Sequence, residues 1–516
     1  MTTDAAAPAE PEHRLHPMSW LFVLVAQLKQ FIVPLIALFL FGRRDEGGLW
    51  PLIGVGVLAI GSLWQYFTYR YAVAEDALVV RSGLLERSLR VIPFSRIHNV
   101  AVEQSVLHRV FGVAEVRLES AGGSKPEATM RVLTLADALE LETLVRRRGR
   151  AGAASTRAPG PAMAVADDGG APGQATHAAV TTAPEPLLRM GTMDLLRLGV
   201  VSNRGMILVG AGVAAFSQTG GRLWSNLFER LGGTWETWYG SNGLPLWQWL
   251  AGGLAMLAAI LVFLRLLSLL LAVLQYYGFV LSRDGRRLTV ERGLLTRWRT
   301  SASRRRIQAW TLTEGLLHRW LKQRTLEVDT AASQQEGQAR TLHELAPIAP
   351  REDCDRLIGE LLPQARWHAL EWQSVPMRGW WRRMLSTLPW IVLVTVALSV
   401  RLGGWGLLAL AWLPWAAVQA RAEARRAGWT LGEELVAVRE GWWQRYWRFA
   451  EVDKLQALRL TRSPLDRHFD TATLWLDTAG AGARSPQLCI RYLPYASADA
   501  VYRRLSSELA RRPLRW

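Results

Sequence analysis

The side chains that most often carry enzyme chemistry are scattered through this chain of 516 residues. Its nine histidines show no metal-ligand spacing, and Cys354 and Cys489 are too few and too far apart for a zinc cluster or a disulfide framework. There is no nucleophile elbow, phosphate-binding loop or His-Glu-x-x-His motif. Single carboxylates recur on one predicted strand, where pairing with an arginine is commoner than acid–base catalysis: Glu119, Asp329 and Asp477. We therefore expect no catalytic residue, no metal and no cofactor.

Cations, in contrast, recur at three matched positions when Gly83, Gly293 and Gly441 are placed in register. Such residues bind anionic lipid headgroups, each contributing about 1 kcal/mol near a membrane surface. Alternatively, they pair with the strand carboxylates, cover apolar surface or set the membrane topology. The candidate lipid- or partner-binding residues are Arg87, Arg297, Arg445, Arg96, Arg306 and Lys454. A third matched set is expected to be structural: Arg109, Arg319 and Arg467.

Lys29 is a separate candidate because it lies near the middle of an apolar stretch, between Gln27 and Gln30. A charge inside a membrane is expensive to solvate and is therefore a functional candidate. Lys29 would line a cavity or pair with a polar group across a helix bundle. Specific helix packing is the alternative role.

The recurring cations belong to a unit that occurs three times. From the three glycines onward the copies align without a gap for 38 residues, so that "VLHRVF" matches "LLHRWL" and "PLDRHF", and "VRLESA" matches "LEVDTA" and "LWLDTA". Apolar residues alternate with a period of two, which is typical of strands with one buried face. Amphipathic segments at 136–148, 351–362 and 496–512 predict a helix at the end of each copy. The unit is therefore predicted to be a small antiparallel β-barrel closed by a C-terminal helix.

A pair of apolar segments precedes each unit. The pairs are 20–41 with 50–67, 205–217 with 246–271, and 385–400 with 405–420. Since about 20 apolar residues cross a bilayer, we expect six spans, with a shallow hairpin as the alternative for the short third pair. The long segments after each pair are rich in arginine and the connections within pairs are not. By the positive-inside rule the N-terminus and all three units are expected to be cytoplasmic.

The stretch "GLLERSLRVIPFSRIHNVAVEQSVLHRVFGVAEVRLESAG" (83–122) resembles the bacterial membrane-flanked family of pleckstrin-homology-like (PH-like) domains, the YdbT-like proteins. The resemblance covers nearly the whole chain and implies PH-like barrels flanked by transmembrane pairs. It also implies a smaller membrane protein with a single PH-like domain as a partner, and no established activity or ligand. The later copies depart from the pattern at Leu321-Lys322 and Phe469-Asp470. These departures favour copies that have the same fold but do not share one ligand.

The predicted fold is thus an integral membrane protein of the α+β class, in which three PH-like β-barrels alternate with three transmembrane helix pairs. An interfacial helix is expected at 192–203, and an Ala/Gly/Pro-rich linker is expected to be flexible. The predicted segments are an N-terminal tail 1–18, transmembrane pair 19–68, PH-like domain 69–148, linker 149–187, interfacial helix and transmembrane pair 188–275, PH-like domain 276–364, linker 365–384, transmembrane pair 385–420 and PH-like domain 421–512.

These features predict a non-enzymatic multi-pass protein of the bacterial inner membrane. Its cytoplasmic PH-like domains would bind a lipid surface or a protein, in envelope stress or resistance to membrane-active agents. The alternative is a transporter or lipid-translocating protein that uses the spans and Lys29. The net charge of +17 would also suit nucleic acid, but no groove of basic and aromatic residues accompanies it, so no nucleic-acid partner is expected.

Overall fold

The computed structural model describes residues 13–14, 16–28, 50–74, 77–82, 88–94, 97–120, 128–155, 185–217, 246–330, 342–377, 379–480 and 485–511. Three predicted site residues, Lys29, Arg87 and Arg96, lie outside the described residues. So does the central part of the predicted flexible linker, residues 156–184.

Three β-domains follow one another, each built from antiparallel sheets and a C-terminal helix. The strands of the first are β1 (His13–Arg14), β2 (Arg70–Val73), β3 (Ala77–Ser82), β4 (Ser88–Pro93), β5 (Ile97–Gln104), β6 (Val113–Ser120) and β7 (Ala128–Thr134). Those of the second are β8 (Glu185–Arg189), β9 (Val280–Asp284), β10 (Arg287–Arg292), β11 (Arg297–Ser303), β12 (Ile307–Glu314), β13 (Gln323–Thr330) and β14 (Glu344–Pro350). Those of the third are β15 (Gln373–Ser374), β16 (Gly428–Leu431), β17 (Leu435–Glu440), β18 (Arg445–Glu451), β19 (Leu455–Thr461), β20 (Thr471–Thr478) and β21 (Cys489–Pro494).

Helices connect and close these sheets. In chain order they are α1 (Ser19–Leu28), α2 (Trp50–Thr68), α3 (Val106–Val110), α4 (Leu135–Ser155), α5 (Thr192–Val201), α6 (Arg204–Ser217), α7 (Leu246–Tyr276), α8 (Leu316–Trp320), α9 (Arg351–Leu361), α10 (Gly379–Leu402), α11 (Trp412–Arg426), α12 (Pro464–His468) and α13 (Tyr495–Arg511). The five-residue helices α3, α8 and α12 occupy the same place in each domain, between the fifth and sixth strands. The C-terminal helices are α4, α9 and α13.

The alternation of apolar residues corresponds to burial in the structure. Val116 and Leu118 on β6 are fully buried, and the matched residues on β13 and β20 are at most 3% exposed. The residue that follows each short helix and its C-cap differs between the copies but has the same backbone conformation. Gly112, Lys322 and Asp470 all have left-handed backbone, with φ of 66°, 55° and 48°. The turn is therefore the same in all three copies, although only the first has the glycine that adopts it without strain.

Each apolar pair is inserted within a β-domain, between its first and second strands. The strand before the pair lies beside the strand after it: β1 pairs with β2, β8 with β9, and β15 with β16. Parts of the predicted tail (1–18) and linkers (149–187 and 365–384) are therefore strands of the following domain, and α4 extends into the first linker as far as Ser155. Strands of two to five residues are too short to show a period in the sequence.

The predicted closed barrels differ from the observed sheets. Strand β5 pairs with β11 of the second domain, and β12 pairs with β18 of the third, so two seven-stranded sheets cross the domain boundaries. Among the described strands no ladder joins the fourth strand of a domain to its own fifth. The edges of β5, β11, β12 and β18 satisfy their backbone groups by pairing with the neighbouring domain, which protects these edges as closure would.

The core is also shared between the second and third domains. Phe449 on β18 belongs to the core of the second domain and stacks on Trp310 of β12, with ring centroids 6.1 Å apart. Trp367 contacts the same ring at 4.7 Å. These two domains therefore fold against each other as one unit.

Two helical segments in the described part of the chain are long and apolar enough to cross a membrane, Leu250–Tyr276 and Gly379–Arg426. Shorter apolar helices occupy the other predicted pairs. In the second pair, Gly205 lies so close to α7 that a Cβ would meet the Leu264 carbonyl oxygen at 2.6 Å, and its amide donates to Ser268. Gly210 of the same helix, in contrast, has open space at its Cβ position and no contact with another element there.

Candidate functional site on the helix-proximal face

The four predicted binding cations that the structure describes lie at two separate ends of the β-domains. Arg297 and Arg445 begin the strands that join the domains, where they lie opposite Gln104 and Glu314 of the preceding domain. Arg297 is exposed, whereas Arg445 is half-buried in the ladder. In the second and third domains this position thus lies in an inter-domain ladder.

Arg306 and Lys454 lie at the other end of the same strands, in 3₁₀ turns, about 20 Å from Arg297 and Arg445 along each strand. Burial lowers the pKa of Arg306 to about 10. Lys454 is only 8% exposed and lies 3.6 Å from Asp453. Neither cation is placed to share a headgroup with the arginines at the hairpin tips.

The short helices, which carry the three arginines expected to be structural, present exposed large apolar side chains. In α3 and the residue after it, Leu107, Val110 and Phe111 are 39%, 75% and 38% exposed. The matched helices expose large apolar side chains in the same way: Leu316 and Trp320 in the second domain, and Leu465 and Phe469 in the third. Arg109 and Arg467 are exposed beside them. An arginine flanked by outward apolar residues is therefore common to the three copies.

The histidines of these helices are capping residues. His108 Nδ1 lies 2.6 Å from the hydroxyl of Ser105, the residue at the N-cap. His318 accepts a hydrogen bond from the Gly315 amide in the same way, and burial lowers its pKa. In the third domain Asp466 takes this role, accepting from the amide of its N-cap residue at 2.9 Å. The exchange of His for Asp at this position follows from capping, which both side chains perform.

Each short helix contacts the helical segment inserted in its own domain, through a helix of the apolar pair in the first and third domains and through α5 in the second. The Phe22 ring of α1 lies 4.2 Å from the His108 ring and 6.1 Å from Phe111. In the second domain α5 packs against α8. In the third, Arg382 of α10 donates to Asp466 at 2.9 Å and also to the residue at the N-cap. The inserted helical segments thus meet the β-domains at the short helices.

The hairpin tips that follow the third strands lie at the same end. In the second domain the Leu294 amide donates to the carbonyl of Leu274, near the end of α7, at 2.9 Å. In the third, Trp415 of α11 lies 5.9 Å from Trp442, and Arg319 of α8 donates to the Trp443 carbonyl across the domain boundary. We call this surface the helix-proximal face; it comprises the short helices and the tips 293–296 and 441–444.

The comparisons with known proteins agree with this geometry. The profile described as "Bacterial PH domain" matches three regions, residues 21–149, 230–364 and 384–509. This chain belongs to the bacterial PH domain family. Each matched region includes helices of a membrane pair as well as a β-domain, which we now term PH1, PH2 and PH3 in chain order.

A similar protein is the UPF0699 transmembrane protein YdbT of Bacillus subtilis, which is 24% identical over 151 residues. The alignment covers 27% of this chain and 30% of that protein, so this chain spans less than a third of its relative. No solved structure matches. The family and the relative identify a membrane-associated PH-domain protein.

A polar cluster fixes the second membrane pair to PH2. Arg204, at the start of α6, donates to Gln275 and Tyr276 at the end of α7 and to Glu344 of β14 at 3.0 Å. Arg292 donates to the same carboxylate at 2.6 Å. Burial alone would raise the pKa of Glu344, but the two guanidinium groups and a hydrogen bond from Tyr276 lower it below its ordinary value.

The third pair has an equivalent cluster. Arg383 of α10 bridges Glu423 at the end of α11 and Glu440 of PH3, at 3.4 Å and 3.2 Å. The sequence offered one sign of these clusters, because Gln275 and Glu423 occupy matched positions. Their partners come from different strands in the two domains, so no simple spacing could identify them.

The recurrent strand carboxylate has a structural partner in PH2. Asp329 accepts from Arg448 of PH3, and both side chains are only 1% exposed. Arg448 also donates to Thr311, and Ser485 donates to Asp329 at 2.6 Å. The predicted pairing with an arginine is confirmed for Asp329, and the arginine comes from the next domain. The matched Asp477 of PH3 is exposed.

The remaining candidate chemistry is buried or dispersed. Burial raises the pKa of the Cys354 thiol to about 12 and also raises the pKa of Cys489, so both thiols stay protonated at neutral pH. In the part of the chain that the structure describes, no three His, Cys, Asp or Glu side chains cluster as metal ligands would. The helix-proximal face combines exposed apolar side chains with the exposed arginines Arg109 and Arg467.

Proposed function

We propose that this protein is a non-enzymatic membrane scaffold whose three PH domains lie on one side of a bacterial inner membrane, with the helix-proximal face against anionic lipid. The observation that carries the proposal is the exposed apolar surface of the three short helices, beside exposed arginines in PH1 and PH3, at the end of each domain where the inserted helices join. A soluble surface rarely exposes apolar side chains in this density. Here they would enter the headgroup region, where apolar burial and anionic lipid both favour binding.

Two features of the fold support a common side for the PH domains. The strands before and after each apolar pair are neighbours in one sheet, so each pair leaves and returns on the same side. The ladders between β5 and β11 and between β12 and β18 are continuous, and an open sheet does not cross hydrocarbon. The arginine-rich composition of this side favours the cytoplasm.

The geometry of the third pair favours two full crossings over the shallow hairpin. Helix α10 has 24 residues and is about 36 Å long, and the returning arm, a nine-residue 3₁₀ segment followed by α11, is about 40 Å long. Both lengths exceed a hydrocarbon core of about 30 Å. Trp380 and Trp381 at the start of α10 suit the interface. Six crossings in the whole chain follow if the first two pairs span equally.

The apolar residues of α5 support the same placement. Leu195 and Leu198 pack into the PH2 core, whereas Met193, Leu196 and Val200 on another face are 57%, 44% and 42% exposed. The predicted interfacial helix thus has one face for the protein and one for lipid.

Depth-dependent quenching tests the proposal on the full chain in lipid nanodiscs. Cysteine substitutions Val110→Cys, Trp320→Cys and Phe469→Cys would each carry an environment-sensitive fluorophore, while buried Cys354 and Cys489 stay unlabelled. We expect a blue shift and quenching by nitroxide-labelled lipids at all three positions, and stronger quenching when nanodiscs contain phosphatidylglycerol.

The matched control is a label at Arg305, an exposed residue of the 3₁₀ turn at the opposite end of PH2. It should show neither the shift nor quenching. Equal quenching at Arg305 and at the three test positions, or none at any of them, would refute a lipid-facing role for the helix-proximal face. A role in envelope stress, a smaller family member as partner and transport through Lys29 remain sequence predictions.

A further inference from the structure

Each inter-domain ladder joins the edge of a fifth strand to the edge of a fourth strand. In the described structure, the fourth strand of PH1 and the fifth strand of PH3 have no such neighbour. Within the chain, a fifth strand pairs with the fourth strand of the next domain: β5 with β11, then β12 with β18. In the described structure β4 of PH1 pairs only with β3, and β19 of PH3 pairs only with β20. The free edges at the two ends are therefore of complementary kinds.

Side chains on the two free edges are more exposed than the matched side chains on the edges that pair with another domain. Val91 on β4 is 58% exposed, whereas the matched Ser301 and Phe449, which lie in inter-domain joins, are 1% and 0% exposed. On β19, Arg459 is exposed, whereas the matched Thr311 on β12 is 2% exposed. Edges with exposed apolar residues invite another strand, and natural proteins usually cover or blunt them.

The free edges carry apolar residues at the same ladder positions as the join between PH2 and PH3. There, Phe449 lies opposite Trp310 and Trp447 lies opposite Leu312, and both aromatic residues pack on the PH2 core. The same register would place apolar residues of β4 against apolar residues of β19 that pack on the PH3 core: Val91 opposite Leu458, and Leu89 opposite Leu460.

The residues of the buried Arg448–Asp329 ion pair have sequence-matched residues near the two free edges. Arg448 and Asp329 are matched by Arg90 on β4 and by Asp477 on β20, beside the free edge of PH3. Asp477 is exposed in the single chain. A strand placed on β19 with an arginine at this position would cover Asp477 as PH3 covers Asp329.

We propose that β4 of one copy pairs with β19 of a second copy, extending the sheets from chain to chain in the order PH1 to PH3. Both surfaces are present in one chain, and the contact continues an interface already used twice within it. Copies held in the same membrane meet at a raised effective concentration in a common orientation. The contact is heterologous, so it builds a ring or a filament.

One residue opposes this contact and offers a sharp test. Arg459 stands where the internal join has Thr311, and it would lie opposite Arg90. Like charges directly opposite in a ladder weaken it by up to about fivefold in equilibrium constant. Arg459→Thr should therefore strengthen the association by up to about that factor.

Cysteine cross-linking between two full-length variants tests the pairing. One protein carries Val91→Cys, the other carries Leu458→Cys, and the two are reconstituted together and treated with a short bismaleimide. We expect a covalent dimer in the mixture and none with either variant alone, and a larger yield when Arg459→Thr is added to the second variant. Arg503→Cys on α13, with its side chain 79% exposed, replaces Leu458→Cys as the control for random collision.

Three outcomes would overturn the proposal. A dimer formed by Val91→Cys alone would show β4 pairing with itself. A yield in the mixture no greater than that with Arg503→Cys would show no pairing of these edges. Cross-linking of Val91→Cys to a chain of another mass in native membranes would assign the edge to a different protein. Lipid quenching at the short helices is independent of each result.

Discussion

The buried ion pair between PH2 and PH3 permits the sharpest prediction, which concerns Asp329→Ala. In the native protein the carboxylate accepts from Arg448 and Ser485, and both charged side chains are 1% exposed. Removing the carboxylate leaves the guanidinium buried with Thr311 as its remaining partner. An uncompensated buried charge costs about 3–5 kcal/mol. For a unit of this size we expect the unfolding midpoint to fall by roughly 6–15 °C.

The two native cysteines provide the assay. Cys354 lies in the PH2 core and Cys489 is buried in PH3, so a thiol-reactive fluorophore reports the unfolding of both domains in detergent. Single-cysteine versions should give the same midpoint for both thiols, and Asp329→Ala should lower both together. The double variant Asp329→Leu with Arg448→Met should recover most of the loss, because an apolar pair of similar volume is tolerated where a lone charge is not.

The chain supplies a matched control in Asp477→Ala. This carboxylate occupies the same position of PH3 but is exposed in the single chain, so in detergent-dispersed monomers its removal should change the free energy of unfolding by less than about 0.5 kcal/mol. If Asp329→Ala proves no more destabilising than Asp477→Ala, the inter-domain pair does not hold PH2 and PH3 together and the continuous-sheet account fails.

Three further predictions concern the membrane junction and the thiols. Gly205→Ala should destabilise by about 1–3 kcal/mol because its Cβ would meet α7 backbone at 2.6 Å, whereas Gly210→Ala, with open space around it, should not destabilise; thermal unfolding in detergent separates them. Glu344→Gln should lower the midpoint at pH 7. Because the folded pKa of Glu344 is below its ordinary value of 4.5, that difference should shrink as pH falls through the folded pKa, and a constant difference would contradict the cluster. Cys354 and Cys489 should resist maleimide at pH 8 until unfolding, since burial shields both thiols and raises their pKa values; rapid native labelling counted by mass spectrometry would contradict their burial.

Sequence patterns predicted the features that depend on local periodicity. The alternation around Val116 and Leu118 predicted a strand with one buried face, and "TMDLLRLGVV" predicted a helix that the structure places at Thr192–Val201. The three copies of the unit followed from matched letters alone. These features need only neighbours within one strand or helix.

The joins between domains could not be predicted in this way. A fifth strand has the same alternating pattern whether it pairs with its own fourth strand or with that of the next domain. The strand at Gln373–Ser374 has two residues and no period. The clusters around Arg204 and Arg383 combine side chains that are far apart in sequence. Tertiary pairing decides all of these features, and single-sequence patterns do not encode it.

The joins also change what recurrence means in this protein. A residue kept in three copies suggests a shared ligand when the copies act separately, and on that basis Arg297 and Arg445 were candidate headgroup ligands. When copies contact each other through one repeated interface, packing is a second source of the same recurrence, and both arginines lie in such ladders, opposite Gln104 and Glu314. The useful evidence is then recurrence combined with exposure. The short helices meet both conditions, because their apolar residues and the arginines at 109 and 467 are kept outward although no neighbouring domain requires it.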